Sequence, residues 1–214
     1  MARKRRIGIM GGTFDPIHYG HLVTAERARG DYELDQVLFL PSGTPPHKPL
    51  DQVTDVKHRY MMTVLATLTN PYFEVSRVDI DREGKSYTID TLRILKSIYP
   101  ESELFFITGA DAILEIMSWK NPERLLELSE FIAATRPGFC LENSSQQVVE
   151  WFKRNNKRLH LLQVPAMAIS STDIRSRVAQ GQSIRYLVPE VVEHYIKKNR
   201  LYHSQHPDRE GCDE

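Results

Sequence analysis

The chain has 214 residues, 41% of them hydrophobic, and its 28 Lys and Arg residues balance 28 Asp and Glu residues. This length and apolar content suffice for one well-buried domain, so we interpret residues 1–214 as a single domain. The balanced charge excludes a strong overall attraction to nucleic acid or to an anionic membrane, so any anion site has to be local. We therefore expect no nucleic-acid partner. Since no stretch reaches the roughly 18 apolar residues of a membrane span, we also expect no membrane.

Both ends of the chain are polar, and we expect residues 1–5 and about 203–214 to be flexible tails. We expect that the basic start is not part of a signal peptide, because Gly11-Gly12 and Asp15-Pro16 interrupt the apolar run that follows it. The two cysteines, Cys140 and Cys212, have no paired spacing, which is typical of a reduced compartment. We therefore expect a cytoplasmic protein.

The first predicted unit is a strand followed by a helix. Residues 7–10 are short and apolar, as in a buried parallel strand, and Leu22, Ala25 and Ala28 recur at helical spacing before the helix ends near Gly30. The segment GGTFDPIHYGH, residues 11–21, connects the two. In open α/β sheets the carboxyl ends of the strands form the ligand crevice, and the amides of a helix N-terminus favour anions there.

Three residues of this segment make it a candidate phosphate site. His18 and His21 are three apart and share one helix face. Gly20 lies between them without a Cβ, so a phosphate or a flat base can approach the backbone. Two other interpretations stay open, namely a pair of metal ligands and a pair of structural capping histidines. The metal interpretation lacks support elsewhere, because the sequence holds neither HExxH nor CxxC.

The next elements are a second strand over residues 37–40, a proline-rich loop over residues 41–51 and a helix capped by Thr54 or Asp55. The apolar positions Val56, Tyr60, Val64 and Leu68 of this helix keep the helical period, and we predict that Lys57, His58 and Arg59 form mainly a solvated face. Residues 73–80 predict a third strand, whose alternation slips near Arg77 and so indicates a bulge or an edge position.

The second half of the chain continues the alternation of helices and strands. The predicted elements are a helix from Thr88, a strand over 104–107, a helix from the Asn121-Pro122 cap to Leu128, a strand over 131–134, a helix over 146–155, a strand over 159–164, a short helix from Ser171 or Thr172 to Gly181, and a last helix over about 189–198. This order predicts an α/β fold, a Rossmann-like, doubly wound and mainly parallel sheet flanked by helices. The sequence has neither GxGxxG nor a Walker A motif, which removes the usual dinucleotide-cofactor and P-loop interpretations.

The segment GGTFDPIHYGH resembles the signature of bacterial nicotinate-nucleotide adenylyltransferases, within the HxGH nucleotidyltransferase superfamily. Four further stretches match that family in order along nearly the whole chain: PPHK at 45–48, SYTIDTL at 86–92, TGAD at 108–111 and ISSTDIR at 169–175. The resemblance implies adenylyl transfer from ATP to nicotinate mononucleotide, which yields nicotinate adenine dinucleotide and pyrophosphate.

The resemblance also implies roles for individual residues on the ATP side. His18 would contact the α-phosphate and stabilise charge in the transition state, and His21 would hold the β- and γ-phosphates. The other residues implied for ATP binding are Gly12, Thr13, Gly109, Asp111, Ile169, Ser171, Thr172 and Arg175. The run from Ser171 to Arg175 also predicts an anion site on its own, because hydroxyls and amides at a helix start are joined there by an arginine one turn on.

For nicotinate mononucleotide the resemblance points to Lys48, Tyr87, Thr88 and Trp119. Trp119 supplies a stacking surface for a pyridine ring, and the start of the helix at Thr88 can accept a carboxylate. The family commonly has an aromatic pair here, but Lys120 follows Trp119 in this chain. We expect Mg²⁺ to be held mainly by the nucleotide phosphates, with no metal ligand from the protein.

Two alternative functions stay open at this point. The first is an HxGH enzyme that uses nicotinamide mononucleotide or another phosphorylated acceptor. The second is a non-catalytic nucleotide-binding module, for which we would expect loss of an HxGH histidine or of the Ser-Thr-x-x-Arg run, and both are intact. The sequence also leaves a homo-oligomer open.

Overall fold

Six strands form one parallel sheet in the computed structural model, which describes residues 3–46, 48–135, 146–165 and 168–203. In chain order they are β1 (Arg6–Gly12), β2 (Gln36–Pro41), β3 (Phe73–Val75), β4 (Glu103–Gly109), β5 (Glu130–Thr135) and β6 (Leu159–Gln163). Their order across the sheet is β3-β2-β1-β4-β5-β6, and each neighbouring pair is parallel. The predicted doubly wound, Rossmann-like α/β architecture is therefore confirmed.

Helices cover both faces of the sheet, as a parallel sheet requires. Within the described residues they are α1 (Tyr19–Asp31), α2 (Val56–Thr67), α3 (Thr88–Ile98), α4 (Ala110–Leu114), α5 (Pro122–Leu128), α6 (Gln146–Arg154), α7 (Ser171–Ala179) and α8 (Glu190–Lys198), with 3-10 turns at Leu50–Gln52 and Ile116–Ser118. None of the described helices is long and apolar enough to cross a membrane.

Alternating side chains of the strands supply two separate hydrophobic cores. Phe105 and Ile107 of β4 pack in a cluster with residues of α1, α2, α7 and α8. Leu104 and Phe106 point to the opposite face and join a cluster with residues of α3, α5 and α6. The period of two along β4 thus decides which helices it contacts.

The predicted third strand is wrong beyond Val75. β3 covers only Phe73–Val75, and Ser76 donates one more backbone hydrogen bond to Phe39 before the chain leaves the sheet. The amide of Ile80 then bonds locally to the carbonyl of Arg77 at 2.8 Å, which closes a turn where we predicted a strand. The alternating apolar residues reflect two separate packing environments there.

The predicted helix starts agree in part with the structure. Asn121 precedes α5 with φ +53° and makes no capping bond with its side chain, although Pro122 does occupy the first turn. α7 begins at Ser171, as predicted, and is capped by Ser170, whose hydroxyl accepts from the Asp173 amide. Asp55 caps α2 as predicted, through a bond from the Lys57 amide.

The basic residues near the start of the chain contact the body of the protein. Arg3 forms an ion pair with Asp35 at 2.5 Å, and Arg5 donates to the side chain of Gln36. Residue 6 already belongs to β1. The rest of the predicted C-terminal tail after residue 203, and both Cys140 and Cys212, lie outside the described residues.

The strand order reverses between β1 and β4. β1 pairs with β2 on one side and with β4 on the other, so the connections that leave β1 and β4 run to opposite faces of the sheet. A crevice between the carboxyl ends of these two strands is the usual ligand site of such sheets.

Candidate active site

Two cavities meet at the carboxyl ends of β1 and β4. The larger cavity has a volume of about 720 Å³ and the smaller cavity about 470 Å³. Gly11 of β1 and Thr108 of β4 line both of them. A ligand in one cavity would therefore meet a ligand in the other across the switch point of the sheet.

The HxGH segment lines the smaller cavity. His18 is the residue before α1 and is only 6% exposed, and Gly20 and His21 follow it in the first turn of the helix. The rings of His18 and His21 are stacked, with centroids 3.8 Å apart and an interplanar angle of 31°. The backbone N–H of His18 donates to Nδ1 of His21 at 3.2 Å.

Burial keeps both imidazoles neutral at physiological pH. It lowers the pKa of His18 to about 4. Burial also lowers the pKa of His21 well below its usual value, and the charge of a protonated His18 lowers it further. The two stacked rings are neutral and lie at the positive end of α1. This site therefore favours an anionic ligand.

Gly20 has a different structural reason from the one we predicted. A Cβ at this position would lie 2.9 Å from both Cε1 and Nδ1 of His18. The space above Gly20 is thus filled by the imidazole of His18, and the glycine lets this ring lie flat against the start of the helix.

Three further residues predicted for ATP line the same smaller cavity. Gly109 is the residue before α4, Asp111 is exposed in the first turn of that helix, and Ile169 lies across the cavity just before α7. Gly12 and Thr13, also predicted for ATP, line the larger cavity instead. These two residues follow directly from Gly11 and so lie at the boundary.

The start of α7 holds the β1–α1 loop, which we define as residues 13–18. Ser171 Oγ donates to the carbonyl of Pro16 at 2.9 Å. Arg175 donates through Nη1 to the carbonyl of Asp15 at 2.8 Å and through Nη2 to Thr172 Oγ1 at 3.4 Å. Ser171, Thr172 and Arg175 line neither of the two cavities but lie behind the loop that leads to His18.

The four residues predicted for the mononucleotide come together in the larger cavity. They are Lys48, Tyr87, Thr88 and Trp119. Trp119 is half-buried and packs edge-on against Phe106, with ring centroids 6.1 Å apart, which leaves the rest of the indole beside the cavity. Thr88 is the first residue of α3, as predicted.

Lys120 lines the larger cavity as well. Its Nζ lies 4.6 Å from the centroid of the Tyr87 ring and 3.0 Å from Oδ2 of Asp90. The residue that departs from the family pattern thus adds a cation beside Tyr87 and the start of α3.

Lys48 lies at the surface, at the rim of the larger cavity. Loss of hydration lowers its pKa, and the positive charges of Arg175 and Arg59 lower it further, while Asp15 opposes them. The three cations thus lie within electrostatic range of each other, although they come from three different parts of the chain.

Arg59 is the main residue that the sequence interpretation missed. We predicted a solvated face, yet Arg59 is 1% exposed and lies on the buried face of α2 together with Met62, Thr63 and Thr67. Among the apolar positions at helical spacing, Leu68 is 75% exposed. The spacing of Arg59, Thr63 and Thr67 at four-residue intervals was an available signal, but a stripe of polar residues does not ordinarily indicate burial.

A buried carboxylate also lines the larger cavity. Asp79 is 6% exposed, accepts from Thr91 Oγ1 at 2.6 Å and pairs with Arg82 at 3.4 Å. Burial raises its pKa. Ser42 and Ser86 line the same wall, and within the described part of the chain their buried Oγ atoms have no hydrogen-bond partner. These three were not among the predicted site residues.

The described residues contain no candidate metal centre. Within the described ranges, no group of three or more His, Cys, Asp and Glu side chains is arranged to hold a metal ion.

Comparison with known proteins agrees with this geometry. The cytidylyltransferase-like family model matches residues 9–177. A protein of Thermoanaerobacter sp. (strain X514), named "Probable nicotinate-nucleotide adenylyltransferase", is 57% identical over 203 residues, which are 94% of this chain and 96% of that protein. A protein of the same name from Moorella thermoacetica is 58% identical over 203 residues, 94% of each chain.

Solved structures show the same fold. Plasmodium falciparum nicotinic acid mononucleotide adenylyltransferase complexed with NaAD has a TM-score of 0.77 at 22% identity, over 92% of this chain and 97% of that one. The same enzyme complexed with APC has a TM-score of 0.75 over the same shares of the two chains. With the high identity of the bacterial relatives over nearly the whole chain, these matches show that the chain belongs to the nicotinate-nucleotide adenylyltransferases of the cytidylyltransferase-like family.

Proposed function

We propose that this chain transfers the adenylyl group of ATP to nicotinate mononucleotide and releases pyrophosphate. One observation carries the proposal: residues expected for ATP, among them His18, His21 and Asp111, line the smaller cavity, the residues expected for the mononucleotide line the larger one, and the two cavities share Gly11 and Thr108. An adenylyl transfer needs this arrangement, because the α-phosphorus of one nucleotide has to meet a phosphate oxygen of the other.

The smaller cavity is the proposed ATP site. His21 accepts the His18 amide at Nδ1, so its neutral ring carries its proton at Nε2 and can donate to a phosphate oxygen. His18 would donate to the oxygens of the α-phosphate. Asp111 supplies a carboxylate for ribose hydroxyls, and Ile169 supplies an apolar surface for adenine.

The start of α7 would hold the outer phosphates. The guanidinium of Arg175 has five N–H groups, and two of its nitrogens already donate to Asp15 and Thr172. The remaining donors of Arg175, with the Thr172 hydroxyl at the start of α7, suit a polyphosphate. This set would bind ATP from behind the β1–α1 loop.

The larger cavity is the proposed mononucleotide site. Trp119 offers a face for the pyridine ring, and the start of α3 at Tyr87 and Thr88 offers amides and a hydroxyl for its carboxylate. Lys48 at the rim would bind the phosphate that attacks, since it lies within electrostatic range of Arg175.

The reaction then requires no protein nucleophile. A phosphate oxygen of the mononucleotide forms a bond to the α-phosphorus, and the bond from that phosphorus to pyrophosphate breaks. His18 and Lys48 would stabilise the charge that grows on the phosphoryl oxygens. Mg²⁺, when bound to the nucleotide, neutralises part of the phosphate charge and is proposed to be held by phosphate oxygens and water. We also propose that the enzyme acts in the cytoplasm.

The test is substrate profiling of the purified protein with ATP and Mg²⁺. Nicotinate mononucleotide should give nicotinate adenine dinucleotide and pyrophosphate, both measured by chromatography. Efficient use of nicotinamide mononucleotide or of another phosphorylated acceptor, with nicotinate mononucleotide inert, would replace the assigned acceptor. Binding of ATP without release of pyrophosphate for any acceptor would show a non-catalytic nucleotide-binding module.

A further inference from the structure

We propose that Arg59 is a positioning residue for adenylyl transfer, which fixes the β1–α1 loop against the loop that carries Lys48. The proposal rests on the function proposed above. Arg59 touches neither cavity, so its effect on the reaction would pass through the backbone that it holds.

The guanidinium of Arg59 donates to three backbone carbonyls. Nε donates to Thr54 at 2.8 Å, Nη1 to Thr13 at 2.8 Å and Nη2 to Gly43 at 3.1 Å. Because the guanidinium is a rigid plane, these bonds set the distance between the three carbonyls. A lysine in its place has one nitrogen and cannot reproduce that fork.

The three carbonyls belong to different segments of the site. Thr13 opens the β1–α1 loop that leads to His18, and Gly43 lies in the loop after β2 that leads to Lys48. Thr54 lies just before α2, the helix that carries Arg59. The two proposed charge-stabilising residues are therefore both connected, over a few residues of backbone, to one buried side chain.

The loop after β2 is held tightly on its other side. A Cβ at Gly43 would lie 2.3 Å from the carbonyl oxygen of Asp79, so the chain has no room to shift in that direction. The amide of Ser42 also donates to the carbonyl of Gly12 at 2.9 Å. Arg59 thus restrains, on the side away from Asp79, a loop that already contacts the boundary of the two cavities.

A buried carboxylate compensates the charge of Arg59. Burial lowers the pKa of the guanidinium, and the nearby charge of Asp15 opposes this effect. Asp15 is 3% exposed and accepts from the Thr54 amide at 3.2 Å and from Tyr202 Oη at 2.7 Å. Asp15 itself belongs to the β1–α1 loop, so the compensating charge also lies in the segment that Arg59 positions.

The geometry predicts a specific kinetic pattern. Thr13 and Lys48 line the larger cavity, whereas no residue bonded by the Arg59 side chain lines the smaller one. Loss of the fork should therefore lower kcat and raise the KM for nicotinate mononucleotide more than the KM for ATP. A general loss of folded protein would lower the apparent kcat alone.

The experiment compares Arg59→Lys and Arg59→Met with the wild type in the same assay. We expect kcat to fall by about 100-fold in both variants, because misplacement of reacting groups by about 1 Å can have this effect. The KM for nicotinate mononucleotide should rise by a larger factor than the KM for ATP. If the wild type itself makes no dinucleotide, the proposed function fails, which is a separate outcome from failure of the positioning role.

Thr67→Ala is the matched control. Thr67 is buried in the same helix, but its hydroxyl bonds only to carbonyls of α2, at Thr63 and Val64. Its loss should lower the midpoint of thermal unfolding without a change in kcat or in either KM. If Thr67→Ala lowers kcat as much as Arg59→Lys at equal thermal stability, the positioning role is wrong.

Gly43→Ala covers the case in which the Arg59 variants do not fold. The added methyl would push the loop away from Asp79 and leave Arg59 in place. We expect the same pattern, namely a lower kcat and a higher KM for the mononucleotide. Wild-type kinetics in Gly43→Ala, or in a folded Arg59→Lys, would overturn the proposal.

Discussion

The backbone N–H of His18 donates to Nδ1 of His21 at 3.2 Å, and the two rings stack 3.8 Å apart. This bond requires an unprotonated Nδ1, so the neutral His21 carries its proton at Nε2. The start of α1 therefore fixes both the orientation and the tautomer of one histidine through the backbone of the other. Any residue except proline at position 18 would keep that N–H, but only a histidine there places a second imidazole in the cavity.

His18→Ala should lower turnover far more than it weakens nucleotide binding. We expect a loss of 10² to 10³ in kcat, about 2.7 to 4 kcal/mol, as is typical for removal of one donor to a charged transition state. Steady-state kinetics give the answer. His58→Ala is the control, because His58 contacts Tyr195 Oη outside both cavities. A raised KM for ATP with normal turnover would show that His18 binds only the ground state.

The stability of the free protein should fall as pH falls from about 6.5 to about 4. In this range the unfolded chain protonates His18, whereas the folded chain, with the pKa near 4, does not. The unfolded state then binds more protons, so acid reduces the free energy of unfolding, by up to about 3 kcal/mol from this group. Urea unfolding at several pH values measures the slope. His18→Asn should flatten it, and an identical slope in both proteins would contradict the assignment.

Arg175→Ala should weaken ATP binding. The side chain donates to the carbonyl of Asp15, and we propose that its remaining donors bind the outer phosphates of ATP, so one or two charge-assisted bonds of about 1.5 to 3 kcal/mol would be lost. Titration calorimetry measures the affinity. Arg177→Ala is the control, because Arg177 lies on the same helix but pairs with Asp173 at 2.7 Å. Equal ATP affinity in the wild type and the Arg175 variant would remove Arg175 from the triphosphate site.

The enzyme should strongly prefer nicotinate mononucleotide to nicotinamide mononucleotide. The start of α3 favours a carboxylate, while a carboxamide would point a donor at donors, so the ratio of kcat/KM should be on the order of 10 to 10⁴. Thr88→Ala should narrow this ratio, and Trp119→Ala should impair both substrates alike because stacking does not depend on the substituent. Direct comparison at saturating ATP tests this. Equal kcat/KM values for the two mononucleotides would contradict it.

Lys120→Met should also narrow the preference for nicotinate. Its ammonium lies over Tyr87 and beside Asp90 in the larger cavity, where it adds positive potential for a carboxylate. Because the side chain is 46% exposed, solvent screens the effect, and we expect less than about tenfold in the ratio. Lys96→Met is the control, since Lys96 bonds to the Ser102 carbonyl away from the cavities. An unchanged ratio in Lys120→Met would assign Lys120 to packing alone.

Most strands and helices could be predicted from local sequence patterns, because tertiary contacts did not change the structure that these patterns favour. The apolar runs at β1, β2, β4 and β5 are buried on both faces and so leave an unambiguous signal. β3 lies at the edge of the sheet, where only three residues pair, and the alternation beyond Val75 arises from turns. The slip in the alternation near Arg77 indicated a bulge or an edge position, and the edge position is confirmed, although the end of pairing at Val75 depends on the arrangement of the whole sheet.

The residues of the candidate site were also predicted only in part. The HxGH, SYTIDTL and TGAD stretches predicted residues that do line the cavities, because each directly follows a strand or opens a helix. Local sequence patterns could not identify Arg59 as a site residue, because its partners Thr13 and Gly43 are 46 and 16 residues away in the chain. Its burial makes sense only once the loops that offer those carbonyls are in place.

The bond from Tyr202 Oη to Asp15 joins residues 187 positions apart, near opposite ends of the described chain. During synthesis on the ribosome, Asp15 emerges long before the tyrosine that completes its hydrogen bonds. The sheet strands are all present by residue 163, but the loop that leads to His18 still lacks this partner and those of α7. The nascent chain can therefore contain every strand of the described sheet before residue 202 supplies this hydrogen bond to the loop that leads to His18.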